Sequence, residues 1–440
     1  MNRVVVTGIG AVCPLGNSLK ESWEAAKAGL SGIAPVTRFD VSGIKWKVAG
    51  EIKEFDAGQY LTRKEVIRLD PFVHYAVAAA CMAARDAGLI EQDEGGGMQD
   101  ENPIWPTRAK EEVRNSSHFT FHPLLESAGV IIGSSRGGIW AIEKELRKTC
   151  SRHAAPHAPR ISAYLMPATT ISMASSYVAL KLNIKGHCLG ISNACASGMS
   201  AIGEAYRLVK SGCETIALCG GAEAPLCRLC VEGYGASGAL SRIEESTASR
   251  PFDRTRDGFV LSEGACILVL EDYRSALKRG IRIYGEVVGY GNTTDAFHQT
   301  IPSPEGEARA MKKALDEAGL KPGDIHFMSA HGTSTPLGDK TETRAIKLSF
   351  GDSAYRVPVT ALKSSTGHML AASGALEAAF TLLSMHEGTI PTTINLKETD
   401  PECDLNYVTE QRKAEIEHAM SQSFGFGGVN AVLIFKRTSV

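Results

Sequence analysis

The stretch HCLGISNACASGMSAIGEAYRLVKSG, residues 187–212, runs from a short apolar strand through a tight turn into a helix. Small residues occupy the start of that helix, where close packing against a sheet would need them. A strand that passes through a short turn into a covering helix is the repeating unit of α/β proteins. The only cysteine of the turn, Cys195, stands where the strand ends and the helix begins.

Units of the same kind extend on both sides of this stretch. Short runs rich in β-branched residues predict strands at 4–10, 129–135, 215–223 and 266–271, and an alanine-rich run predicts a helix over 71–89. A second series follows, with apolar runs at 281–291 and 325–333 and helical patterns over 305–320 and 338–350. In each series a helix ends in Ala-Gly-Leu shortly before a strand, which indicates two halves of similar architecture. The alternation predicts an α/β fold with mostly parallel sheets covered by helices.

Residues 91–125 interrupt the alternation. They contain Gly-Gly-Gly, Asn-Pro, Trp-Pro and His-Pro, and they are too long for an ordinary connection in a compact domain. Because strands and helices resume immediately afterwards, we interpret the segment as an inserted surface excursion rather than a linker between independent domains.

The bulk composition excludes several classes of protein. With 440 residues, 43% hydrophobic and 22% charged, the chain has enough apolar residues for a large core. Its formal net charge of −2 gives no general attraction for nucleic acid or an anionic membrane. No apolar run approaches the length of a membrane span, and the N-terminus lacks the pattern of a secretory signal. Eleven cysteines without a disulfide framework favour a reducing, cytoplasmic location.

Cys195 has the environment of a reactive thiol. The N-terminus of a helix offers free backbone N–H groups and a positive dipole end, which favour a thiolate and can hold an oxyanion. The small neighbours on either side leave room for a substrate. The alternative is a buried core cysteine, which explains most of the other ten. The pair Cys227 and Cys230 lacks further ligands at metal spacing, so we interpret it as packing.

Two histidines stand at similar turns between a strand and a helix. His331 opens HGTSTPLGD after an apolar strand, where Thr333 and Thr335 could hydrogen-bond a ligand. His368 lies in KSSTGHMLAASG, five residues after Lys363. A single histidine is more often structural, but two in Gly/Ser/Thr-rich turns favour a shared site.

The segment SFGFGGVNAVLIF, residues 423–435, interleaves two phenylalanines with glycines before a strand. Glycines let the backbone approach a ligand closely, and an aromatic side chain in such a loop can act as a gate. A flexible turn with both rings in the core is the alternative.

Together these segments resemble one known family. SNACASG, SAHGTSTPLGD, KSSTGHMLAASG and SFGFGGVN are similar to the nucleophile, first-histidine, lysine–second-histidine and gating-loop motifs of the β-ketoacyl-acyl-carrier-protein synthases, most of all the synthase II branch. RPFDRTRDGFVLSEGACILVLE and VVVTGIGAVCPLG also resemble stretches of that family, so the likeness covers nearly the whole chain apart from 91–125.

The resemblance implies a fold and an assembly. The expected fold is the thiolase-like duplicated, layered α/β arrangement with two mostly parallel central sheets, normally a homodimer. The N-terminal half, 1–272, would carry the nucleophile. The C-terminal half, 273–440, would carry both histidines, the lysine and the gating loop.

The resemblance also implies a reaction. Cys195 would take an acyl group from an acyl carrier protein, and His331 and His368 would promote decarboxylation of a malonyl thioester. The resulting enolate would attack the acyl group to give a 3-oxoacyl product, as a thiolate and neutral imidazoles allow. No metal or organic cofactor is implied.

Further residues receive roles from the same resemblance. The backbone N–H groups of Cys195 and Phe426 would hold the oxyanion, and Lys363, paired with Glu342, would order the site. Thr333 and Thr335 would touch the pantetheine arm, and Phe424 would line the substrate site.

One segment departs from the family. Relatives usually carry a glycine-rich run where this chain has GSSRGG, 133–138, so Arg136 stands where an apolar residue borders the acyl pocket. An unpaired guanidinium cannot line an apolar tunnel. Three interpretations stay open: a short acyl chain, an acyl chain with a polar or anionic end, or an arginine turned outward to a neighbouring acid.

The alternatives for function follow from these features. A dedicated ketosynthase of a polyketide or unusual-lipid pathway would share every motif. A non-catalytic chain-length partner subunit would normally lack the cysteine, and a degradative thiolase would carry a second cysteine near the C-terminus, where the SFGFGG loop has none.

Overall fold

A computed structural model describes residues 1–92, 119–150 and 161–438 of the chain. The described N-terminal elements are β1 (Val4–Val12), α1 (Leu19–Lys27), β2 (Ile33–Pro35), β3 (Val48–Gly50), α2 (Arg63–Arg68), α3 (Pro71–Asp86), β4 (Ile90–Gln92), β5 (Phe119–Phe121), β6 (Gly129–Gly133), α4 (Ile139–Cys150), α5 (Leu165–Thr169), α6 (Met173–Leu182), β7 (Cys188–Ile191), α7 (Ser197–Ser211), β8 (Ile216–Glu223), α8 (Arg228–Ala236), β9 (Gly264–Asp272) and α9 (Tyr273–Arg279).

The C-terminal elements begin after a short connection. They are β10 (Gly285–Thr294), α10 (Pro304–Ala318), β11 (Phe327–Ser329), α11 (Pro336–Phe350), β12 (Val359–Thr360), α12 (Lys363–Thr366), α13 (Ala371–Glu387), β13 (Thr389–Ile390), β14 (Arg412–Lys413), β15 (His418–Gly425) and β16 (Val429–Lys436). The strands and helices predicted around 4–10, 71–89, 187–212 and 305–320 are all present, with bounds that shift by a few residues.

Ten of these strands form one sheet in the order β12-β11-β15-β16-β10-β1-β9-β8-β6-β7. The five strands from β7 to β1 come from the N-terminal half, and the five from β10 to β12 come from the C-terminal half. The halves join where β1 pairs antiparallel with β10, Val4 opposite Val287. The two expected sheets are therefore continuous with each other through this strand pair.

The directions of the strands are mixed. The outer pairings of each half, β7-β6-β8 and β12-β11-β15, are parallel, whereas the pairings towards the middle of the sheet are antiparallel. Parallel pairing follows where a helix crosses between strands, and antiparallel pairing follows where the chain reverses directly, as from β15 into β16.

Helices cover the sheet in layers. The adjacent helices α7 and α13 pack between the two halves, with α7 against β6 and β8 and α13 against β9 and β15. On the outer faces, α3 and α6 cover the N-terminal half, while α10 and α11 cover the C-terminal half. Each interface has its own buried apolar cluster, so the central pair of helices is held from both sides. The nucleophile turn and the second-histidine turn lead into these two helices.

The predicted excursion at 91–125 lies mostly outside the described residues. Its two ends pair as β4 and β5, an antiparallel ladder that places Ile90 opposite Phe121. In the described ranges, no helix is both long and apolar enough to cross a membrane.

Candidate active site

One cavity of about 530 Å³ brings the separate sequence motifs together. Its lining includes eight of the residues singled out from the sequence: Cys195, His331, Thr333, Thr335, Glu342, His368, Phe424 and Phe426. The cavity runs from exposed side chains such as Leu337 to Cys195, which is only 7% exposed. A substrate therefore has to enter as an extended group and lose much of its water.

The nucleophile stands on a strained turn. Ala194 adopts a left-handed conformation with φ of 48°, which places Cys195 directly before the first turn of α7. The Oγ of Ser197 accepts a hydrogen bond from the Asn193 N–H at 2.8 Å and so closes the turn. A non-glycine residue in this region costs free energy, and such strain is typical of functional turns.

The thiol of Cys195 is protonated in the resting site. Burial raises the pKa of Cys195 to about 11, while the charges of Lys363 and Arg136 and the backbone N–H of Phe426 act in the opposite direction. The backbone N–H of Phe426 therefore lies near the thiol. Proton loss therefore has to accompany attack on an acyl group.

His331 presents a hydrogen-bond donor to the cavity. Lys363 Nζ lies 3.4 Å from His331 Nδ1, and an ammonium group can only donate, so Nδ1 is the acceptor. The ring proton then resides on Nε2.

The contacts of His368 favour the same tautomer for a different reason. Ser373 Oγ accepts the Met369 N–H at 2.8 Å and lies 3.3 Å from His368 Nδ1, so its own hydroxyl proton is free to be donated to that nitrogen. The Nε2–H of His368 is again the remaining donor.

Both imidazoles are neutral. Burial first, and then the charge of Lys363, hold the pKa of His331 and that of His368 well below the ordinary value of histidine. The ring centroids are 5.5 Å apart in an edge-to-face arrangement. The pair thus offers two neutral N–H donors to one small region beside Cys195, which suits an oxygen that becomes negative during a reaction.

The expected pairing of Lys363 with Glu342 is wrong. Lys363 Nζ contacts Glu377 Oε1 at 2.5 Å and the carbonyl oxygen of His331 at 2.6 Å. Glu377 lies on α13, one face of which packs against the site. Its carboxylate therefore reaches Lys363 more directly than the carboxylate of Glu342 on α11 does. The ammonium of Lys363 therefore holds the His331 turn in place through the carbonyl oxygen of His331.

Glu342 holds the same turn from the other side. Its carboxylate accepts the backbone N–H groups of His331 at 2.6 Å and Gly332 at 2.8 Å, and also the side chain of Gln422 at 2.7 Å. Burial raises the pKa of Glu342 to about 7. Its contacts position the first histidine.

The glycine-rich loop between β15 and β16 approaches the nucleophile. A Cβ at Gly425 would lie 2.7 Å from the Asn193 carbonyl oxygen, so only glycine fits there. Ser423 Oγ donates to the carbonyl oxygen of Cys195 at 3.1 Å. Phe424 is buried against His331, whereas Phe426 is 38% exposed at the cavity wall.

Thr333 and Thr335 line the cavity with their hydroxyl groups. The two Oγ1 atoms are 2.9 Å apart, and Thr335 also caps α11 by accepting the Gly338 N–H. The expected contact of these residues with a substrate arm stays a prediction.

Arg136 borders this region without lining the cavity. Its guanidinium lies 5.5 Å from the ring centroid of Tyr234, which is a lining residue, and its Nε donates to Ser135 Oγ. The buried carboxylate of Glu223 accepts the backbone N–H groups of Ser135 and Arg136. The guanidinium thus lies over a ring that forms part of the cavity wall.

Several residues of the site were missed by sequence reasoning. Glu377 is a buried carboxylate in the middle of α13, whose other acid, Glu387, is its last residue, so a signal was available. Ser373 and Asp295 gave no such signal. Asp295 anchors the gating loop by accepting from Asn430 at 2.7 Å, and its N–H donates to the Gly428 carbonyl oxygen.

Comparison with known proteins identifies the family. Residues 1–276 match the β-ketoacyl synthase N-terminal domain, and residues 284–397 match the C-terminal domain. The chain belongs to the β-ketoacyl synthase family. It is therefore a condensing enzyme with the thiolase-like fold, as its motifs and its fold led us to expect.

Relatives of known name support the assignment. The chain is 43% identical to the 3-oxoacyl-[acyl-carrier-protein] synthase 2 of Synechocystis, over 99% of this chain and 98% of that protein. Among solved structures it is similar to the ishigamide ketosynthase/chain length factor, with 35% identity, a TM-score of 0.86 and full coverage of both chains. It is also similar to a type II polyketide ketosynthase, AntDE, determined with its acyl-carrier protein AntF, with 30% identity, a TM-score of 0.83 and coverage of 99% and 100%.

Proposed function

We propose that this β-ketoacyl synthase condenses an acyl group held on Cys195 with a malonyl group on acyl carrier protein, giving 3-oxoacyl-acyl carrier protein and CO2. The observation that carries the proposal is the arrangement of one thiol and two neutral imidazoles in one cavity, with both Nε2–H groups left for a ligand. The reaction belongs to fatty-acid synthesis or a related pathway.

The first half-reaction loads the enzyme. The sulfur of Cys195 attacks the thioester carbonyl of an acyl carrier, and the backbone N–H groups of Cys195 and Phe426 hold the oxyanion. The carrier leaves as a free thiol with the proton that Cys195 gives up, so the acyl group becomes a thioester of the enzyme.

The second half-reaction forms the carbon–carbon bond. The malonyl thioester oxygen accepts the Nε2–H groups of His331 and His368, and its carboxylate leaves as CO2 while the electron pair moves into the enolate. The enolate carbon attacks the acyl carbonyl, and the Cys195 sulfur departs and takes up a proton. Lys363 and Glu342 position the first histidine throughout.

In this proposal the two halves of the chain supply different parts of the site, and the enzyme works in the cytoplasm with a carrier protein. The N-terminal half, 1–272, supplies the nucleophile, and the C-terminal half, 273–440, supplies the histidines, the lysine and the gate. The free state of all the cysteines is consistent with the cytoplasm. Acyl carrier protein is the expected partner, as in the complex of the polyketide relative.

A second copy of the chain is the other expected partner. Strand β7 ends the large sheet and is exposed along Cys188–Gly190, and no other strand of the described residues pairs with its outer edge. The neighbouring helices expose large apolar side chains, among them Met166 and Leu180. A homodimer through this edge would cover both features.

Arg136 favours a second candidate, a specialised ketosynthase that takes a short or polar-ended acyl group. A guanidinium beside Tyr234 is an unusual neighbour for a long saturated chain. This candidate shares the condensation chemistry and differs only in the acyl group.

The experiment loads the enzyme from a panel of acyl carriers and measures its intact mass. Wild type should gain the mass of the acyl group, and Cys195→Ser should gain none while it keeps its fold. Cys230→Ser is the matched control, because Cys230 is buried in the same apolar cluster but does not line the cavity. Acylation of the Cys195→Ser enzyme would contradict the assignment.

A further inference from the structure

Glu307 is a buried residue of the active-site cavity, and one of its carboxyl oxygens has no partner among the described residues. It lies in the first turns of α10, is 2% exposed and lines the same cavity as Cys195 and both histidines. Its Oε2 atom is fully buried and has no hydrogen bond to any residue that the structure describes. Such groups are rare because each lost hydrogen bond to water costs free energy on folding.

The helix does not need this carboxyl group. Ser303 caps α10, and its Oγ and carbonyl oxygen accept the N–H of Gly306. Glu305, in the same turn, points to solvent and accepts from Ser303. A position one turn inside the N-cap normally holds an apolar residue, so an inward acid at 307 has no structural reason.

The group is uncharged in the resting site. Burial first, and then the negative charges of Glu342 and Asp295, raise the pKa of Glu307 well above its ordinary value. Described cations form no ion pair with it. A protonated carboxyl offers one O–H donor and one carbonyl acceptor, so it fits an uncharged polar group and not a carboxylate or phosphate.

We propose that Glu307 is a substrate-binding residue, whose O–H donates to an amide carbonyl oxygen of the pantetheine arm as the arm crosses the cavity to Cys195. The inference rests on the function proposed above, because it is the arm of a carrier thioester that brings amides into the cavity. These amides lose their water on entry, and the hydrogen bond between the hydroxyl groups of Thr333 and Thr335 uses one of their two protons. The carboxyl group of Glu307 supplies a further donor.

The test compares Glu307→Leu, Glu307→Gln and the control Glu305→Leu with malonyl-pantetheine and with a simple malonyl ethyl thioester that contains no amide. Decarboxylation is measured at several concentrations of each. Glu307→Leu should raise KM for malonyl-pantetheine about tenfold with a smaller change in kcat, the loss of one buried hydrogen bond. The same variant should show no added defect with the ethyl thioester.

Glu307→Gln should recover most of the lost affinity, because an amide keeps a donor and an acceptor in the same place. Glu305→Leu should match wild type. Iodoacetamide labelling of Cys195 and thermal unfolding confirm the fold, and Glu307→Leu should unfold at a higher temperature because an unpaired polar group is removed.

Three outcomes would overturn the inference. An unchanged KM for malonyl-pantetheine in Glu307→Leu would leave a structural role only. An equal rise in KM for the ethyl thioester would show that Glu307 contacts a part of the substrate other than the amide. Failure of Glu307→Gln together with Glu307→Leu would show that a carboxylate is required. Failure of the proposed function is distinct, since wild type itself would then process neither thioester.

Discussion

At the scale of single residues, Arg136 is the residue that would distinguish a preference for long saturated acyl chains from one for short or polar-ended chains. Each CH2 of an acyl chain that is buried in an apolar pocket contributes about 0.8 kcal/mol. A guanidinium that enters the pocket takes the place of part of the acyl chain, so this free energy is lost, and its charge has to be solvated. Its position against Tyr234, a wall of the cavity, leaves it one side chain away from the substrate.

We therefore expect Arg136→Ile to load long saturated chains better than wild type does, and short or polar-ended chains less well. The measurement is the yield of acyl-enzyme across chain lengths at one carrier concentration. The control is Arg228→Ile, because Arg228 pairs with Glu232 on α8, away from the cavity lining. A wild type that already accepts long chains, with an unchanged profile in the variant, would show that Arg136 points away and would favour ordinary fatty-acid elongation.

Sequence reasoning found the candidate reactive residues and only some of the residues that hold them. Cys195, His331 and His368 stand in turns whose small residues mark them locally. The partner of Lys363 could not be found in that way, because Glu377 meets it only when α13 packs under the first-histidine turn. Glu342, nearer to the motif, was the wrong choice since its oxygens are occupied by backbone N–H groups.

At the scale of elements, the loop between β15 and β16 joins the proposed oxyanion donor to the proposed gating ring, both in Phe426. Gly427 and Gly428 adopt left-handed conformations, with φ of 87° and 68°, and Gly428 bonds back to Asp295. Phe426 has its backbone N–H near Cys195 and a side chain that is partly exposed, so a movement of the ring would change access and the predicted oxyanion site together.

Phe426→Ala should therefore change loading and condensation unequally, because a gate orders the two steps. The comparison is the rate of acyl-enzyme formation against the rate of malonyl decarboxylation by the preloaded enzyme. Phe426→Leu keeps an apolar side chain of similar reach and should lie between the two proteins. Wild-type rates for both steps in Phe426→Ala would leave the aromatic ring a structural role.

The gating loop also shows where sequence patterns suffice for an element. Its glycines predicted a close backbone approach, and Gly425 has one against the nucleophile turn. The direction of the strands was harder to predict. Apolar runs indicated a parallel sheet, but β9, β1 and β10 pair antiparallel in its middle. The β1–β10 pair joins distant segments across the two halves, and no local pattern specifies it.

At the scale of the whole molecule, one end of the large sheet is β7, whose outer edge no strand within 1–92, 119–150 or 161–438 pairs with. Leu189 on this strand is 46% exposed, and the exposed side chains of α5 and α6 flank it. An apolar edge strand is a template for association, and pairing of two copies about a twofold axis would satisfy both copies with the same surface. The two active sites would then belong to one assembly.

Leu189→Lys should weaken this association, because it places a like charge from each copy at the shared edge. The measurement is mass in solution by sedimentation or light scattering across a range of concentrations, where wild type should be a dimer and the variant should shift towards the monomer. The matched control is Leu229→Lys, since Leu229 is also 46% exposed but lies on α8, away from the strand edge. If both variants kept the mass of wild type, the edge of β7 would not be the interface. If wild type were a monomer at every concentration, the exposed apolar surface around β7 would have to be covered by another protein.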